Sequence, residues 1–251
     1  MTKKIENRQQ EIYQKILTNG KVRVVDLAKE YDVSMETIRK DLNRMESQGL
    51  LHKTHGGACR KEDNSEVAVN VKVNENASFK QNLAKRALGE IPDHSSLFIG
   101  PGSTTLSLAK LLPLKKDLLV VTNSLMIANE VTNQKHELIF LGGKVLKKSQ
   151  CATGAFTLNY IDAIHFDVAC LGCDGFKNSR GPTTFSFEEM EVNQHVLRQA
   201  EKKIILADQS KFDWQGTYMY APFDSFDLLI TNPIDMEKKK RIQGCNLIIA
   251  K

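Results

Sequence analysis

Seven short apolar runs recur from residue 95 to the end of the chain, and their alternation with helix-forming stretches limits the fold more than any other feature. The runs lie at 97–99, 118–121, 138–141, 168–171, 204–207, 228–231 and 247–250. Short strands that alternate with helices build a mostly parallel sheet with helices packed on its faces. The sequence therefore predicts an α/β domain over residues 78–251.

Polar and small residues follow five of these runs at their carboxyl ends. In an open parallel sheet, ligands bind beyond that edge. Glycine lets a backbone approach a ligand, and free amides with hydroxyls suit a phosphate, whereas a carboxylate suits sugar hydroxyls. The residues expected to bind a phosphorylated sugar are Gly102, Ser103, Thr104, Thr105, Asn123, Ser124, Gly142, Gly143, Asp174 and Lys211. Any one such loop is also an ordinary connection between a strand and a helix.

The first 58 residues have a different pattern, typical of three short helices. Apolar residues at helical spacing end near Gly20, a shorter apolar group runs from Val25 to Tyr31, and Ser34 is a good N-cap for a third helix ending near Gln48. On the third helix the spacing predicts one buried stripe, made of Met35, Ile38, Leu42 and Met45. Three short helices with a tight turn resemble a helix-turn-helix.

The opposite face of the third helix carries side chains that can read DNA. Lysine and arginine pair with phosphates or guanine edges, and asparagine can read adenine. After the helix, residues 50–58 alternate and then turn on two glycines, which predicts a β wing. The expected DNA-binding residues are Ser34, Glu36, Thr37, Arg39, Lys40, Asn43, Arg44, Lys53 and His55. The alternative is a solvated face on an ordinary small helical domain.

Charge is distributed unevenly, and this favours an anionic polymer as one partner. Residues 1–61 contain 13 Lys and Arg against 8 Asp and Glu, whereas the rest of the chain contains 22 of each. The whole excess of +5 therefore lies in the first quarter. A basic small segment beside a neutral large one suggests an anionic polymer as the partner of the first and something else as the partner of the second. With the helix-turn-helix pattern, the expected polymer is double-stranded operator DNA.

Several separated blocks of residues resemble the DeoR family of bacterial transcription regulators, in order and in spacing. Those blocks are 26–28, 33–34, 37–42, 49–50, 55–58, 121–124, 141–143, 154, 171–172, 174–175, 191–192 and 208–211. The resemblance implies a winged helix-turn-helix followed by a sensor domain similar to ribose-5-phosphate isomerase. It also implies a phosphorylated sugar as effector and, usually, repression of genes for sugar use. Three places differ from the family pattern, namely Lys40, Gly100-Pro101 and Asn193-Gln194.

The expected organisation is a winged helix-turn-helix over 1–58, a linker over 59–77 and an α/β effector-binding and oligomerisation domain over 78–251. Alternating valines at 67, 69, 71 and 73 predict an extended strand within the linker. Because one recognition helix reads DNA weakly, a homo-oligomer, either a dimer or a tetramer, is expected on repeated half-sites.

Two other functions stay open at this point. One is a sugar-phosphate isomerase fused to a DNA-binding segment, with Asp174, Glu188, Glu189 and Lys211 as its acid–base groups. The other is a DNA-binding protein whose second domain only oligomerises.

Neither a metal nor a cofactor is expected. Five scattered cysteines argue against a disulfide framework, and the lone C-x-x-C pair at 170 and 173 lies on a predicted strand, where it points to opposite faces. The six histidines show no metal-ligand spacing. No apolar run fits a signal peptide or a membrane span, so a cytoplasmic protein without a membrane partner is expected.

Overall fold

The computed structural model describes residues 2–19, 21–60, 67–73 and 75–250. The chain divides into two compact units, Met1–Ala68 and Val69–Lys251. The division falls inside the segment predicted as a linker, 59–77. Each unit has its own core and is described separately.

The first unit packs helices against a small antiparallel sheet. Its elements are α1 (Thr2–Asn19), β1 (Lys21–Arg23), α2 (Val24–Glu30), α3 (Met35–Ser47), β2 (Leu51–Thr54) and β3 (Gly57–Arg60). The strand order is β1-β3-β2, and both pairings are antiparallel. The predicted helix-turn-helix with its β wing is confirmed, and β1 is a third strand that the sequence did not indicate.

The third helix begins and packs as the sequence predicts, except at its first residue. The Ser34 hydroxyl caps α3 by accepting a hydrogen bond from the Thr37 amide at 3.1 Å. Ile38, Leu42 and Met45 are buried, but Met35 is 46% exposed, so its place in the buried stripe was wrong. Met35 lies at the edge of that stripe and in the first helical turn, where the described residues do not cover it.

The helices and strands of the second unit build the predicted sheet and the layers that cover it. Its first half contains α4 (Val69–Lys72), α5 (Ala77–Leu88), β4 (Ser96–Ile99), α6 (Ser103–Ala109), β5 (Leu119–Thr122), α7 (Leu125–Val131), β6 (Glu137–Phe140), β7 (Lys144–Leu146) and β8 (Cys151–Thr153). Its second half contains α8 (Ala155–Asp162), β9 (Phe166–Leu171), β10 (Thr183–Thr184), α9 (Phe187–Gln199), β11 (Ala200–Leu206), β12 (Tyr218–Met219), β13 (Leu228–Thr231), α10 (Met236–Lys240) and β14 (Asn246–Ile249). Short 3₁₀ turns lie at Leu112–Leu114, Gln209–Phe212 and Phe223–Ser225.

Seven of these strands form one parallel sheet in the order β14-β13-β11-β9-β4-β5-β6. Each of the seven apolar runs supplies one strand, so the predicted parallel sheet is confirmed. Side chains of alternating strand residues fill two cores, with Leu97 and Ile99 in one and Phe98 in the other. Two small hairpin-like pairs, β7 with β8 and β10 with β12, lie outside the sheet.

The strand order reverses between β4 and β9. From β4 the chain proceeds through β5 to β6 on one side, and from β9 through β11 and β13 to β14 on the other. At such a reversal the loops after the two central strands diverge and leave a crevice for a ligand. The chain ends of the two strands are still in contact before they diverge, because a Cβ on Gly100 would lie 2.9 Å from the Leu171 side chain.

The valine repeat of the predicted linker forms a helical turn and not a strand. Val69 to Lys72 are helical, and the Val73 amide donates to the Val69 carbonyl at 3.1 Å. Val69 is buried and Val73 packs against the core, so residues four apart share a side. Helical spacing buries these valines better than alternation would, and the predicted extended strand was therefore wrong. Across the described residues, no helix is both long and apolar enough to cross a membrane.

Candidate functional site

The predicted DNA-facing side of α3 is exposed. Glu36, Arg39, Lys40, Asn43 and Arg44 are all exposed. Arg39 lies 3.7 Å from Glu36, whereas no described residue forms an ion pair or a hydrogen bond with the side chain of Lys40, Asn43 or Arg44. Two cations and an amide are thus free to meet phosphates and base edges.

Ser34 and Thr37 lie at the start of the same helix but are engaged with each other. Their hydroxyl oxygens are 2.9 Å apart, and the Ser34 hydroxyl also accepts the Thr37 amide. Their observed contacts therefore set where α3 begins. A phosphate contact from either hydroxyl stays a prediction.

The wing is fixed to the recognition helix by one side chain that the sequence analysis did not single out. The Glu46 carboxylate accepts a hydrogen bond from the Lys53 amide at 2.9 Å and lies 3.8 Å from His52. The side chains of Lys53 and His55 are exposed beside it. This arrangement holds the wing's cation next to the face of α3.

A buried carboxylate anchors the other side of α3. Asp41 is 4% exposed and accepts hydrogen bonds from Arg8 Nε and Gln9 Nε2, both at 2.7 Å. Because these groups lie on α1, they fix how α3 rests on its neighbour. The pattern of apolar residues carries no signal for such a polar contact.

In the second unit, the predicted ligand loops lie at the carboxyl edge of the sheet. Gly102 has a φ of 149° and precedes α6, and its carbonyl accepts the Thr105 hydroxyl at 3.0 Å. Ser103, Thr104 and Thr105 are buried. The Thr105 hydroxyl is thus engaged within its own helix, while the hydroxyls of Ser103 and Thr104 lie at the loop after the central strand β4.

The two loops next to it are built by hydrogen bonds within the protein. Asn123 is fully buried and donates from Nδ2 to the Ala152 carbonyl at 2.8 Å, while no described residue donates to its Oδ1. Ser124 caps α7. The Gly142 carbonyl accepts the Thr157 hydroxyl at 2.8 Å, and a Cβ on Gly143 would lie 2.4 Å from the Thr153 carbonyl. The last contact explains why a side chain is excluded at Gly143.

A group of charged residues lies between the loops after β9 and β11. Asp174 Oδ1 accepts a hydrogen bond from Lys72 Nζ at 2.7 Å, and Oδ2 accepts one from the Phe185 amide at 3.2 Å. Asp208 accepts bonds from the amide and hydroxyl of Ser210, at 2.9 and 2.5 Å. Both aspartates are largely removed from water.

Lysines hold these carboxylates in the charged state. Burial raises the pKa of Asp174, but the charges of Lys72 and Lys211 outweigh it and keep the pKa below its ordinary value. Burial likewise raises the pKa of Asp208, but the charge of Lys211 and the hydrogen bonds from Ser210 together outweigh it and keep that pKa below its ordinary value. Lys211 therefore acts on both carboxylates.

The ammonium group of Lys211 has no direct partner among the described residues. It lies within 4.0 Å of no described carboxylate, and no side-chain hydrogen bond engages it. The side chain is half-buried on the 3₁₀ turn after β11. It is a cation that a bound anion can reach.

Lys80 is a further cation of the group, and it is 3% exposed. Its ammonium donates to the Lys72 carbonyl. Burial lowers the pKa of Lys80 to about 8, while the charge of Asp208 opposes that shift. The sequence analysis missed both Lys72 and Lys80. Lys80 does carry a signal, since it occupies the apolar stripe of α5 with Leu83, Ala84 and Ala87.

Glu189 is a third carboxyl group near the site. Burial raises its pKa, and the charge of Asp174 raises it further. Its oxygens accept the Thr184 hydroxyl at 2.5 Å and the Cys151 thiol at 3.5 Å. Asp174 and Glu189 thus have opposite tendencies, one towards the charged form and one towards the neutral form.

Comparison with known proteins identifies both units. Residues 8–64 match the DeoR-like helix-turn-helix domain, and residues 75–233 match the DeoR C terminal sensor domain. The chain is 31% identical over 243 residues to the HTH-type transcriptional regulator GolR of Listeria innocua, covering 96% of each chain. It is 30% identical over 249 residues to the Putative aga operon transcriptional repressor of Escherichia coli O157:H7, covering 96% of this chain and 93% of that one.

A solved structure of D-ribose-5-phosphate isomerase in complex with phospho-erythronic acid is similar over 54% of this chain and 53% of that one, at 21% identity and a TM-score of 0.41. That score is too low to bear on function. The two domain matches and the curated relatives, taken together, show that the chain belongs to the DeoR family of transcriptional regulators.

Proposed function

We propose that this protein represses genes of sugar uptake or catabolism by binding operator DNA, and that a phosphorylated sugar relieves the repression. Family membership makes it a transcriptional regulator, and one curated relative is named as a repressor of the aga operon. Another relative, in Escherichia coli K12, is named as the glycerol-3-phosphate regulon repressor. The nature of the ligand is argued below from this chain's own residues.

One observation supports the phosphorylated ligand more than any other. Lys211 lies at the carboxyl edge of the parallel sheet without a direct partner among the described residues, between the ionised Asp174 and Asp208. A phosphate supplies the anion that this ammonium lacks. The neighbouring carboxylates accept hydrogen bonds from hydroxyls, which are the groups that a sugar offers.

The loop after β4 provides the second half of the proposed site. Gly102, Ser103 and Thr104 lie where the strand order reverses, beside the loop that carries Asp174. The Asn123 Oδ1, buried and without a described donor, is one more acceptor at this edge. We infer that the phosphate lies between Lys211 and the loop of Ser103, with the sugar hydroxyls towards Asp174.

Regulation then follows from a coupling free energy. The effector binds the DNA-bound arrangement of the protein more weakly than another arrangement. Effector binding therefore lowers the affinity for the operator, and bound DNA lowers the affinity for the effector by the same factor. A coupling of about 1–3 kcal/mol changes the operator affinity by about 5- to 150-fold. We propose that a homo-oligomer presents paired recognition helices to repeated half-sites.

We propose that the sensor unit binds its ligand without catalysis. Enediol isomerisation needs a carboxylate that can take up a proton near neutral pH. The charge of Lys72 at 2.7 Å keeps Asp174 ionised and weakly basic, and Glu189 is buried against Cys151 and Thr184. Asp174 therefore lacks the environment of a general base, and Glu189, although its pKa is raised, has both oxygens engaged inside the protein. Incubation with ribose 5-phosphate should therefore yield no ketose above the protein-free rate.

Thermal unfolding with a panel of sugar phosphates tests the proposal. A phosphorylated effector at 100 times its Kd should stabilise the folded protein by about 2.7 kcal/mol, because only the folded state binds it. The same sugar without phosphate should give a much smaller shift of Tm. If no phosphorylated member of a broad pentose and hexose panel raises Tm, the ligand class is wrong and the purely oligomerising sensor is the better account.

A further inference from the structure

His165, Asp167 and Glu201 meet at the amino edge of the seven-stranded sheet, opposite to the proposed effector site. Their ligand atoms, one from each residue, all lie within 4.8 Å of one another. The pairing of β9 with β11 places Phe166 beside Ala200 and Val168 beside Lys202, so Asp167 and Glu201 occupy matching positions. His165 immediately precedes β9, and its imidazole lies beside these two carboxylates.

We infer that these three residues bind a divalent transition-metal ion, with Zn²⁺ as the best match. One imidazole and two carboxylates form a donor set typical of open zinc sites, in which water occupies the fourth position. Two ligand atoms of a tetrahedral zinc site are separated by about 3.3 Å. His165 Nε2 and Glu201 Oε1 lie 3.3 Å apart.

Asp167 is held ready for this role by a neighbouring strand. Its Oδ2 accepts hydrogen bonds from the Ser96 amide at 2.7 Å and the Ser96 hydroxyl at 2.8 Å. Those bonds keep the pKa of Asp167 below its ordinary value. Oδ1 receives no hydrogen bond from the residues that the structure describes. A carboxylate with one oxygen fixed and the other available is the usual form of an oriented metal ligand.

The surroundings favour a cation and leave room for its water. Asp167 and Glu201 line an open cleft of about 670 Å³, together with Asp93 and Asp227. Lys202 is the nearby cation, but its ammonium is paired with Glu90 at 2.7 Å. Magnesium and calcium prefer all-oxygen sites, so the imidazole selects for zinc-like ions.

The sequence could not show this site, because its ligands lie at the starts of two strands, span 36 positions and have no motif spacing. Bound metal would cross-link the starts of β9 and β11 far from the proposed effector site. Its expected effect is stabilisation of the folded sensor unit by mass action. The inference does not depend on the proposed effector.

Zinc titration of the full chain, after dialysis against a chelator, tests the inference. We expect one equivalent of Zn²⁺ to bind outside the cysteines, and His165→Ala and Glu201→Gln to weaken binding at least tenfold. Both side chains are mostly exposed, so these variants keep their fold. His94→Ala, which removes another exposed imidazole at the same edge, should bind zinc like the wild type.

Two further measurements separate this site from other zinc ligands. Ser96→Ala should lower the affinity about tenfold by releasing Asp167, with unchanged circular dichroism. The Co²⁺ derivative should lack a thiolate charge-transfer band, since the proposed ligands contain no sulfur. Three results would each overturn the inference and leave an ordinary ion pair at this edge. They are a failure to bind zinc stoichiometrically, the presence of a thiolate band, and equal zinc binding by wild type and His165→Ala.

Discussion

Lys72 Nζ lies 2.7 Å from Asp174 Oδ1 and links the first helix of the sensor unit to the loop after the central strand β9. The two residues are 102 positions apart in the chain. Both side chains are mostly buried, so the pair is poorly screened by water. A ligand that binds either residue must therefore also act on α4.

Removal of the lysine should leave an uncompensated buried carboxylate. We expect Lys72→Met to destabilise the sensor unit by about 3 kcal/mol at pH 7. Lys72→Arg keeps the positive charge and should destabilise the sensor unit less than Lys72→Met does. Urea unfolding, with the sensor transition followed by circular dichroism, measures the difference.

The same variant has a defined pH dependence. The pKa of Asp174 is lower when folded, so its stabilisation is present above the ordinary Asp value of 3.8 and is lost as the pH falls through the folded pKa. The difference in unfolding free energy between wild type and Lys72→Met should therefore become smaller as the pH falls below the folded pKa of Asp174. A difference that is the same at pH 7 and in acid would contradict the role of this ion pair.

Lys80 should make effector binding depend on pH in the alkaline range. Its pKa of about 8 means that the ammonium loses its proton as the pH rises through that value. The charged groups around it are Lys72 on α4, Glu75 before α5, and Asp208 and Lys211 after β11. Because an anionic effector favours the protonated lysine, its affinity should fall between pH 7 and 9.

Calorimetric titration checks this prediction. Wild type should lose about tenfold in affinity across that range, whereas Lys80→Met should bind more weakly at pH 7 and show little further change. The folded protein should gain stability from pH 8 towards 10.5, since the unfolded lysine keeps its proton longer. An equal pH dependence in both proteins would exclude Lys80 as the titrating group.

Neighbouring residues of α3 should separate DNA binding from folding. Arg44 is exposed, so Arg44→Ala should weaken operator binding and leave stability nearly unchanged. Met45 is fully buried, so Met45→Ala should destabilise the first unit by about 2–5 kcal/mol. Fluorescence anisotropy and thermal unfolding of both variants check this, and equal loss of fold would show that the faces of α3 are assigned wrongly.

The wing contains a matched pair of glycines. A Cβ on Gly57 would lie 1.9 Å from the Val22 carbonyl oxygen, whereas a Cβ on Gly56 meets nothing within 4 Å. Gly57→Ala should separate β1 from β3 and weaken DNA binding. Gly56→Ala should be tolerated in both respects. Amide exchange of the β1–β3 hydrogen bonds measures the first effect, and comparable protection in the two variants would contradict it.

The sequence predicted the parts of the fold that follow from local periodicity. Each apolar run forms a strand as predicted, and α3 begins after its predicted N-cap, Ser34. Both predictions were possible because burial of a strand and capping of a helix depend on nearby residues. The predictions for Met35 and for the valine repeat were wrong because tertiary packing decides which side of a short element is covered. β1 was missed, since three residues carry too little pattern.

The candidate site was predicted only in part, for a related reason. Loop residues such as Asp174 and Lys211 follow strands, and strand ends can be read from the sequence. Lys72 and Lys80 reach the same place from α4 and α5, and only the folded topology brings them there. Their roles in effector binding, like those of the predicted loop residues, stay predictions until tested.

Operator release by a phosphorylated sugar is the most direct test of the whole account. Fluorescence anisotropy with DNA from upstream of the chain's own gene should show binding that weakens by about 5- to 150-fold when the effector saturates the sensor. Lys211→Ala should bind the same DNA nearly as tightly as wild type and should fail to respond to the effector. Release of wild type and Lys211→Ala at the same effector concentration, or no release of wild type by any sugar phosphate that raises its Tm, would contradict the account.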